Sequence, residues 1–473
     1  MAQTNKNTQS SPQELLSNAS FEIGGEDKMV EYYSAPSAQL EGEENPALIE
    51  DAWKKCITDV QIRLGTILKT DTMSFLFGAG ASKDCGGVLI GAIPIEVERE
   101  LLREGVNGKG NFRVRKWLRY FYLAAKYLNY DDTNIPTGRN EIVQRWTDIE
   151  NNTAVSLAAN YESILSLLYR WRMALPKQGG RLRIDGTSTI DMESGDLDIC
   201  LHRATHALAQ SCQLPRQGSD EGFDAYKLFV RKILTRPLNL KRTNVFTLNY
   251  DTLVEQAADA EGVVLIDGFV GTLKRIFRPE CYDQDLYFPA ETTEGRVHRH
   301  DRVVHLYKLH GSIMWVSETP GWDNPYGLAA KAEPASVKES VLIYPTPAKY
   351  GETLGMPYAE LFRRFAVAVV RPQSTLFVIG YGFGDEHVNA IIRQALAVPS
   401  FALVIIDPNP QSDFVNILRK QKDQRVWIFS GKTFGTFTGF VKYALPDLRD
   451  EDVRRRVIET HRALKEGPPY DGQ

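Results

Sequence analysis

The chain reads as an α/β fold: a parallel sheet with helices on both faces, plus a helical insertion. Three observations predict it. Short apolar runs of strand length recur at residues 245–248, 263–266, 303–309, 341–344, 375–379, 402–406 and 426–429. Segments of helical period stand between several of them, at 358–370, 387–396 and 413–420. Glycines and polar residues gather where the runs stop, and in a covered parallel sheet the loops at the carboxyl ends of the strands form the ligand crevice.

Taken in order, residues 1–45 are rich in Ser, Asn, Gln, Gly and Glu without apolar periodicity, which predicts a flexible N-terminal arm. Leu48, Ile49, Trp53, Ile57, Val60, Leu64, Ile67 and Leu68 then fall at helical spacing ahead of a short apolar strand at 73–77. This opens the main domain over 46–94. Residues 95–240 read almost wholly as helix, including 114–127 and 141–173, and form the predicted insert. Gly, Asp, Ser and Thr at 179–195 break the pattern as a surface loop. The stripe Trp117, Tyr120, Phe121 and Tyr127 is expected in a core. The main domain resumes over 241–445, and 446–473 is expected to be a C-terminal helix and tail.

Composition excludes several functions. Lys and Arg total 56 against 60 Asp and Glu, a net charge of −4, so the isolated chain has no positive field to hold a nucleic acid. Apolar runs such as 365–370 and 401–406 are far shorter than the roughly 20 residues of a membrane-spanning helix. Residues 1–11 carry no apolar signal-peptide core, which predicts a cytoplasmic protein. The five cysteines (Cys56, Cys85, Cys200, Cys212 and Cys281) form no C-x-x-C pair, so neither disulfides nor a paired-knuckle zinc site is expected. His298, His300 and His305 alternate as on a strand, but nothing near them in sequence completes a metal geometry, and a polar surface hairpin is the expectation.

Five strand ends hold candidate chemistry. In Gly78-Ala79-Gly80-Ala81-Ser82, glycines two apart let backbone approach a pyrophosphate; Lys83 stands where the third glycine of a G-x-G-x-x-G would be, so a plain tight turn competes. Thr247-Leu248-Asn249-Tyr250-Asp251 puts three polar side chains at a strand end, where helix capping is the alternative. His310 precedes Gly311-Ser312 at the next. Gly380-Tyr381-Gly382-Phe383-Gly384-Asp385 is a second glycine-rich end, and Asp407-Pro408-Asn409-Pro410 offers groups for ribose hydroxyls or an ordinary turn.

This set, in this order, resembles the sirtuin (silent information regulator two) family, and within it the bacterial branch tied to defence against phage. The resemblance spans about 67–440 and implies a Rossmann-like NAD-binding domain. It implies that Gly78, Ala79, Gly80 and Ser82 cradle the NAD phosphates. It further implies that Thr247 lies with the dinucleotide, that Asn249 and Asp251 stand beside the scissile bond and the carboxamide, and that His310 is the catalytic base. Gly380, Gly382, Asp407 and Asn409 line the adenosine side. Protein-deacylating sirtuins carry a four-cysteine zinc module and a G-I-P-D-F-R stretch; here only Ile93-Pro94 of that stretch survives and no cysteine pair exists. NAD is therefore expected as substrate, without a metal, and simple hydrolysis is favoured over deacylation. Relatives of this layout work as multimers beside a hexameric HerA-type ATPase, which implies a homo-oligomer with that partner and a restrained state released by a trigger.

The residue types suit that chemistry. Nicotinamide in NAD is already a cationic pyridinium and leaves as a neutral molecule, so cleavage needs no strong acid but stabilisation of an oxocarbenium-like ribose and a positioned nucleophile. An asparagine amide can hold water or a ribose hydroxyl, an aspartate can accept from the carboxamide, and a histidine can take the proton. The rivals are an NAD-dependent protein deacylase and a module that senses NAD or ADP-ribose without cleaving it. Ser430-Gly431-Lys432-Thr433 suggests a phosphate-binding loop, but the pattern needs glycine at the position of Val426, so it is discarded.

Overall fold

The computed structural model describes residues 10–32, 46–89, 93–107, 113–129, 135–136, 138–155, 157, 161–175, 180–183, 189–289, 297–332, 340–342 and 357–449. Its centre is a nine-stranded sheet. The strands are β1 (Ser20–Ile23), β2 (Glu26–Asp27), β3 (Thr72–Phe77), β4 (Asn244–Thr247), β5 (Val264–Ile266), β6 (Val303–Lys308), β8 (Ser374–Ile379), β9 (Phe401–Ile406) and β10 (Val426–Ser430). β7 (Gly311–Ser317) follows β6 directly but belongs to a second sheet. The spatial order is β2-β1-β10-β9-β8-β3-β4-β6-β5, and every pairing from β10 to β5 is parallel.

Period-2 alternation sends side chains to two cores. Phe75, Phe77, Val245, Leu306, Val404 and Phe429 enter one of them. There they meet α2 (Pro46–Ile67), α8 (Asp220–Ile233) and α9 (Leu253–Ala260). Leu76, Phe246, Tyr307, Val378, Ile405 and Ile428 enter the other, with α10 (Tyr358–Val369), α11 (Glu386–Leu396) and α12 (Asp413–Gln421). Helices on both faces make every residue of β3 and β8 buried, which is why these strands read as unbroken apolar runs. Fully buried phenylalanines hold the centre: Phe75 stacks on Phe377 at 4.8 Å and meets Phe229 edge-on at 4.9 Å. Each such ring contributes about 1.5–3 kcal/mol.

The N-terminal segment departs from the expected arm. α1 (Pro12–Ser17) is capped by Ser11, and β1 pairs antiparallel with β10 in the register Phe21↔Phe429. Phe21 is buried and stacks on Phe429 at 4.4 Å, and Glu22 takes both Nε and Nη2 of Arg419 at 2.9 Å. Two buried side chains on a four-residue strand are too little to register as periodicity, yet they close an open sheet edge. Residues 1–9 and 33–45 of the predicted arm, and 450–473 of the predicted tail, lie outside the described residues.

The insert has its own core. α3 (Ile93–Gly105), α4 (Lys116–Leu128), α5 (Arg139–Glu150), α6 (Tyr161–Ala174) and α7 (Ser194–Ser211) pack around Leu101, Phe121, Leu165, Leu168, Leu197 and Ala204. Glu98, fully buried, accepts from Arg145 at 2.7 Å twice and from the Tyr122 hydroxyl at 2.8 Å. The single helix read over 141–173 is two, and the loop read at 179–195 holds a hairpin of Gly180–Arg183 with Thr189–Met192. Trp117, Tyr120 and Phe121 are core residues, while Tyr127 at the end of the stripe is exposed. α8 lies inside the span 95–240 predicted as insert but packs on the sheet through Tyr226 and Phe229, because its apolar face matches the groove beside β3.

The second sheet runs Phe269–Val270, Arg275–Phe277, Leu328–Ala330, β7, Ser340–Leu342, all antiparallel. The predicted strand at 341–344 is thus part of this sheet over 340–342, and 343–344 lie outside the described residues.

Candidate active site

The chain runs from β3 outward to β4, β5 and β6, then returns to β8 on the other side of β3 and continues to β9 and β10. A reversal of that kind leaves a crevice at the carboxyl ends of the strands on either side, here β3 and β8. Gly78–Ser82 lies on one side of it and Gly380–Asp385 on the other. The pairings Phe77↔Thr247 and Thr247↔Lys308 set β3, β4 and β6 level, so Ala79, Asn249 and His310 each stand two residues past one row. All five sequence-predicted strand ends lie along this side of the sheet, on adjacent strands.

The two glycine turns touch backbone to backbone. Gly80 N–H donates to Gly380 O at 2.8 Å, and Gly78 N–H to Ile379 O at 2.9 Å. A Cβ on Gly78 would lie 2.6 Å from Gly380 O, and one on Gly80 2.7 Å from Gly380 Cα. Gly380 has φ +62. Close packing of the two turns therefore accounts for Gly78, Gly80 and Gly380, and the Gly80 N–H is already donated. A 3₁₀ segment, Ala79–Cys85, follows. Gly382 is exposed, with open space where a Cβ would stand.

Ser82 is not a free phosphate ligand. Its buried hydroxyl donates to Asp251 Oδ2 at 2.6 Å and accepts from Asn249 Nδ2 at 2.9 Å. Asn249 Nδ2 also donates to Gly78 O at 2.9 Å, and Thr247 Oγ1 accepts from Asn249 N at 3.0 Å. Asp251 Oδ1 accepts from Leu253 N at 3.2 Å, so its carboxylate starts α9 and anchors Ser82 at once. The alternative weighed for this strand end, Thr247 or Asn249 as a helix cap with Asp251 at the helix dipole, is not the geometry found: Thr252 is the N-cap and Asp251 precedes it, so a role for Asp251 at the carboxamide would use lone pairs beyond these two bonds. The amide of Asn249 is partly exposed and its orientation is fixed by Gly78 and Ser82.

His310 follows β6, where Leu309 N–H donates to Thr247 O at 2.9 Å and Gly311, at φ +92, turns the chain into β7. Its ring is buried, with Nε2 3.3 Å from Asp385 Oδ2. β3 and β4 separate β8 from β6, so the Gly380–Asp385 loop must reach across both strand ends, about 14 Å at the usual strand spacing.

Asp385 is a residue the sequence reading passed over, because an aspartate ahead of a helix reads as a cap; it is one, accepting from His387 N at 3.0 Å. Lys308 is another. Buried at the end of β6, its ammonium donates to Asp251 O and to Glu255 Oε1, the latter at 2.9 Å, tying β6 to α9 beneath the site. Burial pushes the Glu255 carboxyl up, opposed by Lys308. Cys85 and Cys212 flank this region, and burial pushes both thiols up to about 12.

Asp407 and Asn409 lie past β9, beside Gly380, whose N–H donates to Ile406 O at 2.9 Å. Asp407 Oδ1 accepts from Asn409 N at 2.7 Å in a local turn, burial raises its carboxyl, and Asn409 is exposed. A cavity of about 460 Å³ opens elsewhere, among Glu14, Asp84, Glu221, Lys432 and Lys442, and none of the predicted strand-end residues lines it. The Ser430–Thr433 turn of the discarded phosphate loop is held by the N-terminal segment instead: Thr433 N–H donates to Asn18 O at 3.0 Å.

Among the described residues no group of three or more His, Cys, Asp or Glu is placed to hold a metal, and no helix is long and apolar enough to cross a membrane. His298 is exposed on the expected hairpin, but His305 is not part of it: it lies on β6, where burial pushes its imidazole down to about 4. The folded state then resists protonation while the unfolded chain takes it up near 6.5, so stability is lost as pH falls from about 6.5 to about 4. Urea midpoints at pH 7 and pH 5 should fall less for His305→Gln than for the parent.

A family model described as SIR2-like domain matches residues 243–427. That span takes in Thr247, Asn249, Asp251, His310, Gly380, Gly382, Asp407 and Asn409; Gly78–Ser82 precedes it in sequence and joins it through Gly380 and Asn249. Domains of this family use NAD. No curated protein matches the chain.

Proposed function

From a SIR2-like domain at 243–427 as premise, we propose that this protein is an NAD glycohydrolase releasing nicotinamide and ADP-ribose. One observation carries the reading: an oriented asparagine amide and a buried histidine stand level on neighbouring parallel strands, beside the switch-point crevice. Water attacks the ribose carbon as the N-glycosidic bond breaks and its electron pair leaves with neutral nicotinamide; His310 takes the water proton and returns it to solvent. The Asn249 side chain positions the water or a ribose hydroxyl, and Ser82 and Asp251 hold that amide still. Hydrolysis is favoured over deacylation because the deacylases' cysteine pairs are absent from the sequence.

The reading extends to a homo-oligomeric effector of defence, held in check and released with a HerA-type ATPase. Purified protein with NAD, alone and with such an ATPase, should yield nicotinamide and ADP-ribose in equal amounts without an acyl-lysine peptide. NAD bound by calorimetry yet intact in both mixtures would leave a sensor, and product formed only with the peptide would leave a deacylase.

A further inference from the structure

A histidine that takes a proton in a buried site becomes a cation there, and an unpaired buried charge is expensive. Asp385 Oδ2 lies 3.3 Å from His310 Nε2, with the two side chains 10% and 9% exposed. The rest of the carboxylate is fixed: Oδ1 accepts from His387 N at 3.0 Å as the cap of α11. The loop that carries it is fixed as well. Asp385 N–H donates to the Tyr381 hydroxyl at 2.9 Å, that hydroxyl lies 3.1 Å from Asn389 Oδ1, and Asn389 Nδ2 donates to Phe383 O at 2.8 Å. Phe362 of α10 approaches the imidazole at 6.2 Å between ring centres, and the neighbouring Glu386 is turned to Arg393 at the surface. Capping a helix needs one carboxylate oxygen and does not require the loop to cross two strand ends; the second oxygen meets the imidazole.

We infer that Asp385 is a positioning residue for His310, holding the ring through Nε2–H and stabilising the imidazolium formed when the ring takes the water proton. It rests on the NAD-cleaving reading. A carboxylate behind an imidazole fixes the tautomer, so the nitrogen that accepts the proton is Nδ1.

Asp385→Asn tests this, because asparagine caps a helix as well as aspartate and the variant keeps its thermal midpoint. The expected result is a fall in kcat of between about 10- and 10³-fold with KM changed less than about threefold. Imidazole ¹⁵N spectra of the unmodified protein, with the His310 signal assigned by its loss in His310→Gln, should show the proton on Nε2. A kcat within about twofold of the parent, a raised KM at unchanged kcat, or a proton on Nδ1 overturns the inference while leaving the NAD-cleaving reading intact if His310→Ala is inactive. Turnover retained in His310→Ala overturns that reading, and this inference with it.

Discussion

His310→Ala and Asn249→Ala each leave a folded protein that no longer releases nicotinamide from NAD. Loss of a proton acceptor lowers such a step by about 10²–10⁴-fold. Loss of a group that holds the nucleophile or the developing charge costs about 10²–10³-fold. The two variants differ in stability. The Asn249 amide satisfies Gly78 O and Ser82 Oγ, so its removal costs about 1–3 kcal/mol as well. Chromatography of nicotinamide and ADP-ribose, with thermal melts alongside, checks both. Turnover within tenfold of the parent in both variants would remove these residues from the chemistry.

Gly380→Ala should be the most disruptive single methyl in the crevice. The added Cβ would sit 2.3 Å from Ala81 N and 2.4 Å from Gly80 C, both backbone atoms, at φ +62. The left-handed conformation costs an alanine about 1–2 kcal/mol and the overlap about 1–3 kcal/mol more. Either the protein unfolds several degrees lower, or the turns separate and NAD binding is lost. Gly382→Ala, two residues on, meets open space and should melt within about 0.5 kcal/mol of the parent. Denaturant titration of the pair, with calorimetry for NAD, separates backbone contact from simple crowding; equal behaviour would mean the turns are not pressed together.

Much of the sheet was legible because a strand buried on both faces must be apolar throughout. β3, β8, β9 and β10 therefore announce themselves, and a polar group at their ends stands out. Asn249 and His310 were singled out that way. Asp385 was not, since its partner lies 75 positions earlier and its local role as a cap already explains an aspartate there. Lys308 was hidden in an apolar run, its charge absorbed by Glu255 and a carbonyl contributed by another strand's loop. The second sheet was missed because strands of two or three residues, such as Phe269–Val270 and Arg275–Phe277, carry no period. The partners of Ser82 were hidden for a related reason: a serine beside a glycine turn looks available to a phosphate until Asp251, far along the chain, is seen to accept its hydrogen bond.

The pairing of β1 with β10 has a consequence for the order of assembly. Glu22 and Arg419 are 397 residues apart, so the segment that carries β1 waits for distant chain before it can dock on β10. Long-range pairings of this kind form late. The border of the sheet is thus sealed by a segment made long before the strand it covers.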